Sequence, residues 1–196
     1  MKKKWFVVLA VLSAFGLASC GSSSSSDSAS SGCNASNYKD KAPDLQDCDL
    51  KNADLSGAKL DNANLSGANL DDANMTNVSA QGANLSSANG GGSNMSGADL
   101  KKADFSNVNL GGANLTGANL GGANLTDADL SGADLTKAAL GGAKIVDANL
   151  KGADLSGADL KGADLSGSDL KGADYADTTC PDGSQTSSDE TPCKAS

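Results

Sequence analysis

Two residue types in this chain could carry chemistry, cysteine and aspartate, and each lacks the partner its reaction needs. The 196 residues hold five cysteines and no histidine, so a thiol nucleophile has no imidazole base. A thiolate zinc site does not fit either. Cys33 and Cys48 stand near one end, Cys180 and Cys193 near the other, and neither pair has C-x-x-C spacing. Aspartate is plentiful, so paired carboxylates for acid–base work must be weighed. Yet Asp154, Asp159, Asp164, Asp169 and Asp174 recur every fifth residue, which marks a repeat position and a solvated surface rather than a cleft. No catalytic residue, metal set or cofactor site is read from the sequence.

The elements that must position these residues are set by one beat. From Leu45 to Tyr175 every fifth residue is apolar, 20 of 27 being Leu, with no insertion or deletion. The exceptions are Met75, Ala80, Gly90, Met95, Phe105, Ile145 and Tyr175. A small residue, usually Ala, lies two before each, Asp or Asn lies between, and Gly is frequent two after. Five residues advance about 500° around an α-helix, so the Leu positions would scatter over every face. A plain strand would throw successive Leu residues to opposite faces. The pattern fits a short extended piece followed by a bend, coiled so that its turns stack and bury Leu and Ala together.

The units A-D-L-S-G at Ala53–Gly57 and Ala153–Gly157, and A-N-L-S-G at Ala63–Gly67, resemble the A-(D/N)-L-x-x unit of pentapeptide-repeat proteins. The resemblance implies an all-β fold over residues 44–177: a right-handed, four-sided β-helix with four units per coil. Positions 20 apart then stack. Ala80 falls between Leu60 and Leu100, and Gly90 between Leu70 and Leu110, each forgoing roughly 1.5–3 kcal/mol of Leu burial. Val78 and Val108, in place of Ala, are expected to refill part of that space. Asn89–Ser93, with three consecutive glycines, reads as an irregular corner in preference to a binding notch.

Residues 1–19 are a targeting segment, with Lys2, Lys3 and Lys4 before an apolar stretch from Trp5 to Leu17. Its end, Leu17-Ala18-Ser19-Cys20, resembles the lipobox of bacterial lipoproteins. That implies cleavage before Cys20 and lipid on its sulfur, hence anchoring in the envelope; Gly21 after it favours the outer membrane. Residues 20–43 form a Ser-rich tether and N-terminal cap, reaching about 19 Å as a coil over the Ser-rich part. The four remaining cysteines flank the two ends of the column. The local pairs Cys33–Cys48 and Cys180–Cys193 are therefore expected, closing both ends, with 178–196 a disulfide-bonded tail.

The formal charge is −9, and removal of the leader takes away three lysines. The chain has no arginine, and Tyr38, Phe105 and Tyr175 are its aromatic residues beyond the leader, so nucleic acid is a poor ligand. Three readings of function follow. The first is a lipid-anchored acidic rod that serves as a non-catalytic scaffold for an envelope protein, using a charged face of Asp154, Asp159, Asp164, Asp169, Lys151, Lys161 and Lys171. The second is weak divalent-cation binding along Asp ladders. The third, inhibition by DNA mimicry as in some cytoplasmic pentapeptide-repeat proteins, conflicts with the export signal.

Overall fold

The computed structural model describes residues 44–187 and Cys193. The expectations for the leader, Cys20, the tether and Cys33 lie outside the described residues.

Four columns of parallel bridges run along the molecule, each linking residues 20 apart. Side one carries Asp44 through Asp164, side two Asp49 through Asp169, side three Asp54 through Asp174, and side four Lys59 through Thr179. One coil is thus four pentapeptides, and the fold is a four-sided β-helix. The ladder reaches Thr179, two residues past the boundary expected at 177.

Each corner but one is a tight turn closed by a bond from the small residue to the preceding apolar one, as Ala53 N–H to Leu50 O at 2.9 Å. At Ile145–Ala148 the Ser168 hydroxyl is inserted, accepting Ala148 N–H at 3.0 Å and donating to Ile145 O. The third turn residue has positive φ (58° at Asn52, 65° at Gly97), the type II arrangement. Glycine takes it freely, whereas Lys102 and Lys137, at 56° and 58°, carry the strain of a side chain there. Coils join through three further bonds per unit, such as Leu55 N–H to Asn74 O (2.7 Å), Gly57 N–H to Thr76 O (2.9 Å) and Asn74 N–H to Ala53 O (2.8 Å).

Leu and Ala fill the interior together, as the alternation requires; Leu65, Leu85, Leu115 and Leu125 have no exposed surface. Asn89–Ser93 is not the irregular corner expected. Gly90 N–H bonds Asn109 O at 2.7 Å, Ser93 N–H bonds Gly90 O at 3.1 Å, and Gly92 has the same positive φ as other corners. The backbone bonds that hold every corner do not depend on the Leu side chain, so its loss leaves register intact. Val78 and Val108 are buried as expected, and so is Phe105, a volume gain in the coil that carries Gly90. Leu110 Cδ2 and Ser93 Oγ take up the space, 3.1 and 3.3 Å from where a Cβ on residue 90 would stand. The Ser93 hydroxyl, wholly buried, has no hydrogen-bond partner.

At the C-terminal end the chain reverses. Thr179 pairs antiparallel with Gln185, Thr186 N–H bonds Thr178 O at 2.9 Å, and the Thr186 hydroxyl donates to Tyr175 O. This hairpin covers part of the last coil's edge, which would otherwise present unpaired backbone groups. Cys180 occupies a Leu position and is disulfide-bonded to Cys193, as expected.

Candidate functional site

The outer surface is built by the residue between Ala and Leu. Four of the five N–H groups in a unit are used by the turn and the ladder. The fifth, one residue past the Leu, is taken by the side-chain oxygen of the Asp or Asn two residues earlier. Ser156 N–H donates to Asp154 Oδ1 at 2.9 Å, Lys171 N–H to Asp169 Oδ1 at 3.1 Å, and Ala176 N–H to Asp174 Oδ1 at 2.9 Å. This is an Asx-turn, a side chain substituting for backbone at a corner. Sequence reasoning assigned the Asp residues to a solvated face and expected the Asn residues to bond along the ladder, and gave neither a role at the corner. The signal was present, since Asx-turns need Asn or Asp at that offset from a bend.

Along the columns, Asn adds rungs. Asn69 Nδ2 donates to Asp49 Oδ1 at 3.1 Å, Asn124 to Asp104 at 2.9 Å and Asn149 to Asp129 at 3.0 Å. Where acids are consecutive, as Asp134, Asp154 and Asp174 on side three, no such rung forms and each carboxylate is held by its own corner.

The charged residues singled out in the sequence do not share one face. Steps of five move around the coil, so Asp154, Asp159, Asp164 and Asp169 stand on sides three, four, one and two. They fall into two groups at diagonally opposite corners. Lys151 and Lys171 stack at the corner between sides two and three, with Asp169 on one flank and Asp154 on the other. Lys161 lies at the corner between sides four and one, flanked by Asp159 and Asp164. In the first group Lys151 Nζ approaches Asp169 Oδ2 at 3.0 Å.

Local bonds set the electrostatics. Asp164 is held below the ordinary carboxylate range by the Ser166 hydroxyl, then by Ser166 N–H, and lastly by Lys144. Asp169 is lowered by Lys171 N–H and then Lys151, and Asp54 and Asp134 by the hydroxyls of Ser56 and Thr136. Burial raises the Tyr175 phenol to about 12. These acids are stabilised as anions, the opposite of what a general acid needs. Among the described residues no three acidic or cysteine side chains gather closely enough to hold a metal. An open groove lined by Asp61, Gln81, Lys101 and Lys102 holds no nucleophile–base pair; Asp61 accepts from Ser79 Oγ (2.7 Å) and Gln81 N–H (3.0 Å).

Cys48 lies buried at an Ala position and is disulfide-bonded. Its expected partner, Cys33, is outside the described residues. Among the described residues no helix is long and apolar enough to cross a membrane.

Residues 44–77, 68–107, 81–117, 109–145 and 143–174 match the family model for pentapeptide repeats. Among solved structures, HetL of the cyanobacterium Nostoc, described as involved in heterocyst differentiation regulation, is 36% identical. The match covers 70% of each chain with a TM-score of 0.37. A pentapeptide repeat protein of the Arabidopsis thaliana thylakoid lumen is 30% identical, over 63% of this chain and 69% of that one, at 0.35. QnrB1, described as a plasmid-mediated fluoroquinolone resistance protein, is 22% identical, over 62% and 76%, at 0.37. No curated protein sequence gives a significant match.

Proposed function

The chain belongs to the pentapeptide-repeat family, and from that premise we propose that it is a non-catalytic scaffold in the bacterial envelope. In this reading lipid on Cys20 holds it at the membrane, and the end far from the anchor meets a protein partner. The handedness implied by the family, right-handed, and closure of both ends by disulfides belong to the same reading.

One observation carries the proposal: the outward carboxylates are oriented before any partner arrives. Asp154, Asp169 and Asp174 are each pinned through Oδ1 by a corner N–H, which leaves the second oxygen for outside donors, as Lys151 uses it at Asp169. Groups fixed in advance lose little entropy on binding, so a flat exposed surface can bind with modest area. The corner that combines Lys151, Lys171, Asp154, Asp169 and Asp174 offers both signs of charge in a fixed pattern, which suits selective electrostatic recognition.

The test is crosslinking in intact cells, followed by identification of what is captured. The reading expects one protein recovered repeatedly by the native chain and lost when Lys151, Asp154, Asp169 and Lys171 are neutralised together. Capture of no selective protein, or an unchanged captured set in that variant, would defeat it.

A further inference from the structure

Asn89 stands apart from every other Asn and Asp in the four columns. Each of the others, among the described residues, accepts the N–H two residues ahead through its side-chain oxygen. Asn89 Oδ1 does not hold Gly91 N–H; it accepts only Asn109 Nδ2, at 2.8 Å. Its own Nδ2 donates to nothing among the described residues. Asn89-Gly90 is also the single Asn-Gly step in the sequence. Elsewhere the residue after a column Asn is Leu or Met, whose side chain crowds its amide nitrogen.

We propose that Asn89 is a site of spontaneous self-modification. The backbone nitrogen of Gly90 attacks Cγ of Asn89 and a new N–C bond closes a five-membered imide. The Cγ–Nδ2 bond breaks, and ammonia leaves carrying the amide proton. Water then opens the ring at one carbonyl or the other, giving aspartate or isoaspartate. No oxidant, reductant or enzyme is required.

Three features direct the reaction here. Gly90 has no side chain to hinder attack, the Asn89 side chain is not locked over its own corner, and the departing nitrogen is unbonded. Two bonds oppose it: Asn109 Nδ2 holds Asn89 Oδ1 at 2.8 Å, and Gly90 N–H donates to Asn109 O at 2.7 Å; both must be released first. The same corner is the place most able to open. Gly90 brings no Leu side chain to the core, the Ser93 hydroxyl is buried without a partner, and Gly91 N–H lacks the Asx bond that an Asn or Asp supplies at the other columns' corners. Local opening therefore sets the pace, and the modification reads out that opening.

The two products differ in consequence. Aspartate fits, because an Asn rung donating to an acid 20 residues earlier is the arrangement already present at Asn124–Asp104 and Asn149–Asp129. It introduces a charge into Ala73–Ala98, a stretch with no charged residue. Isoaspartate adds a backbone atom and breaks the 20-residue register.

The test is incubation of the folded full-length chain at mildly alkaline pH, then digestion and peptide mass spectrometry. Amide-to-acid conversion should accumulate at residue 89 and be absent from Asn84 and Asn94. It should be lost in Gly90→Leu, which restores the repeat residue. Gly90→Ala is a milder second variant; its Cβ would meet Leu110 Cδ2 at 3.1 Å, a flexible side-chain tip, and Gly90 lacks positive φ. An intact Asn89, conversion spread evenly over the asparagines, or undiminished conversion in both variants would overturn the proposal.

Discussion

Lys151 Nζ lies 3.0 Å from Asp169 Oδ2, eighteen residues ahead in the chain but only one coil along the rod. Both side chains are about half exposed, so the pair adds little to stability. Its value is positional. It ties a corner column to the neighbouring side and sets charges of both signs side by side towards the C-terminal end of the described coils.

The Asx-turn account predicts opposite effects at two outward-facing sites of the same repeat position. Thr116 N–H donates to Asn114 Oδ1 at 3.0 Å, and Asn114→Ala should cost about 0.5–1.5 kcal/mol by removing that bond. At Ala139 the same position holds no acceptor, so Ala139→Asn should gain a similar amount by capturing Gly141 N–H. Denaturant melts of both variants check this. Equal, negligible effects would mean that water serves the corner as well as the side chain does.

Lys137 adopts φ 58° at a corner where Gly sits in neighbouring coils. Lys137→Gly should stabilise the rod by about 1 kcal/mol, because relief of left-handed strain outweighs the added freedom of the unfolded chain. A fall in melting temperature would show that the lysine stem, packed over Gly157, contributes more than its backbone strain removes.

The beat from Leu45 to Tyr175 made the architecture readable, because a strict period leaves one way to bury every Leu. Stacking of residues 20 apart followed, and with it the burial of Cys48, Val78 and Val108. The error lay in treating Asp154, Asp159, Asp164 and Asp169 as neighbours. They are close in sequence and identical in repeat position, yet a corner separates each from the next. The corner role of Asp and Asn was overlooked because charge drew attention away from local hydrogen bonding. The closing hairpin was unreadable for another reason: its hydroxyl contact, Thr186 to Tyr175 O, is tertiary and leaves no period.

The cap should depend on its disulfide. Cys180 and Cys193 are 13 residues apart, and closing such a loop is worth about 3 kcal/mol in the chain-entropy model. Reduction should speed hydrogen exchange at Gly183 and Thr186 while leaving Leu130–Leu160 unchanged, since solenoid stability is local. Loss of protection along the whole rod would contradict that locality.

The lowered carboxylates fix a direction for pH. Asp164 has a folded-state pKa below its ordinary 3.8, first through the Ser166 hydroxyl. A depressed acid contributes stability above the unfolded value and loses it as pH falls through the folded one. Stability should thus be insensitive to this group above pH 3.8 and decline below it, with Asp164→Asn flattening the decline. Titrating melts across that window check the sign; a rise in stability on acidification would contradict it.

The most direct test of the scaffold reading uses the two opposite corners as each other's control. A photo-crosslinking residue is placed at 171 in one variant and at 161 in another, and each is illuminated in intact cells. The account predicts that one partner is captured from position 171 and not from 161. Equal capture from both corners, or from neither, would contradict it.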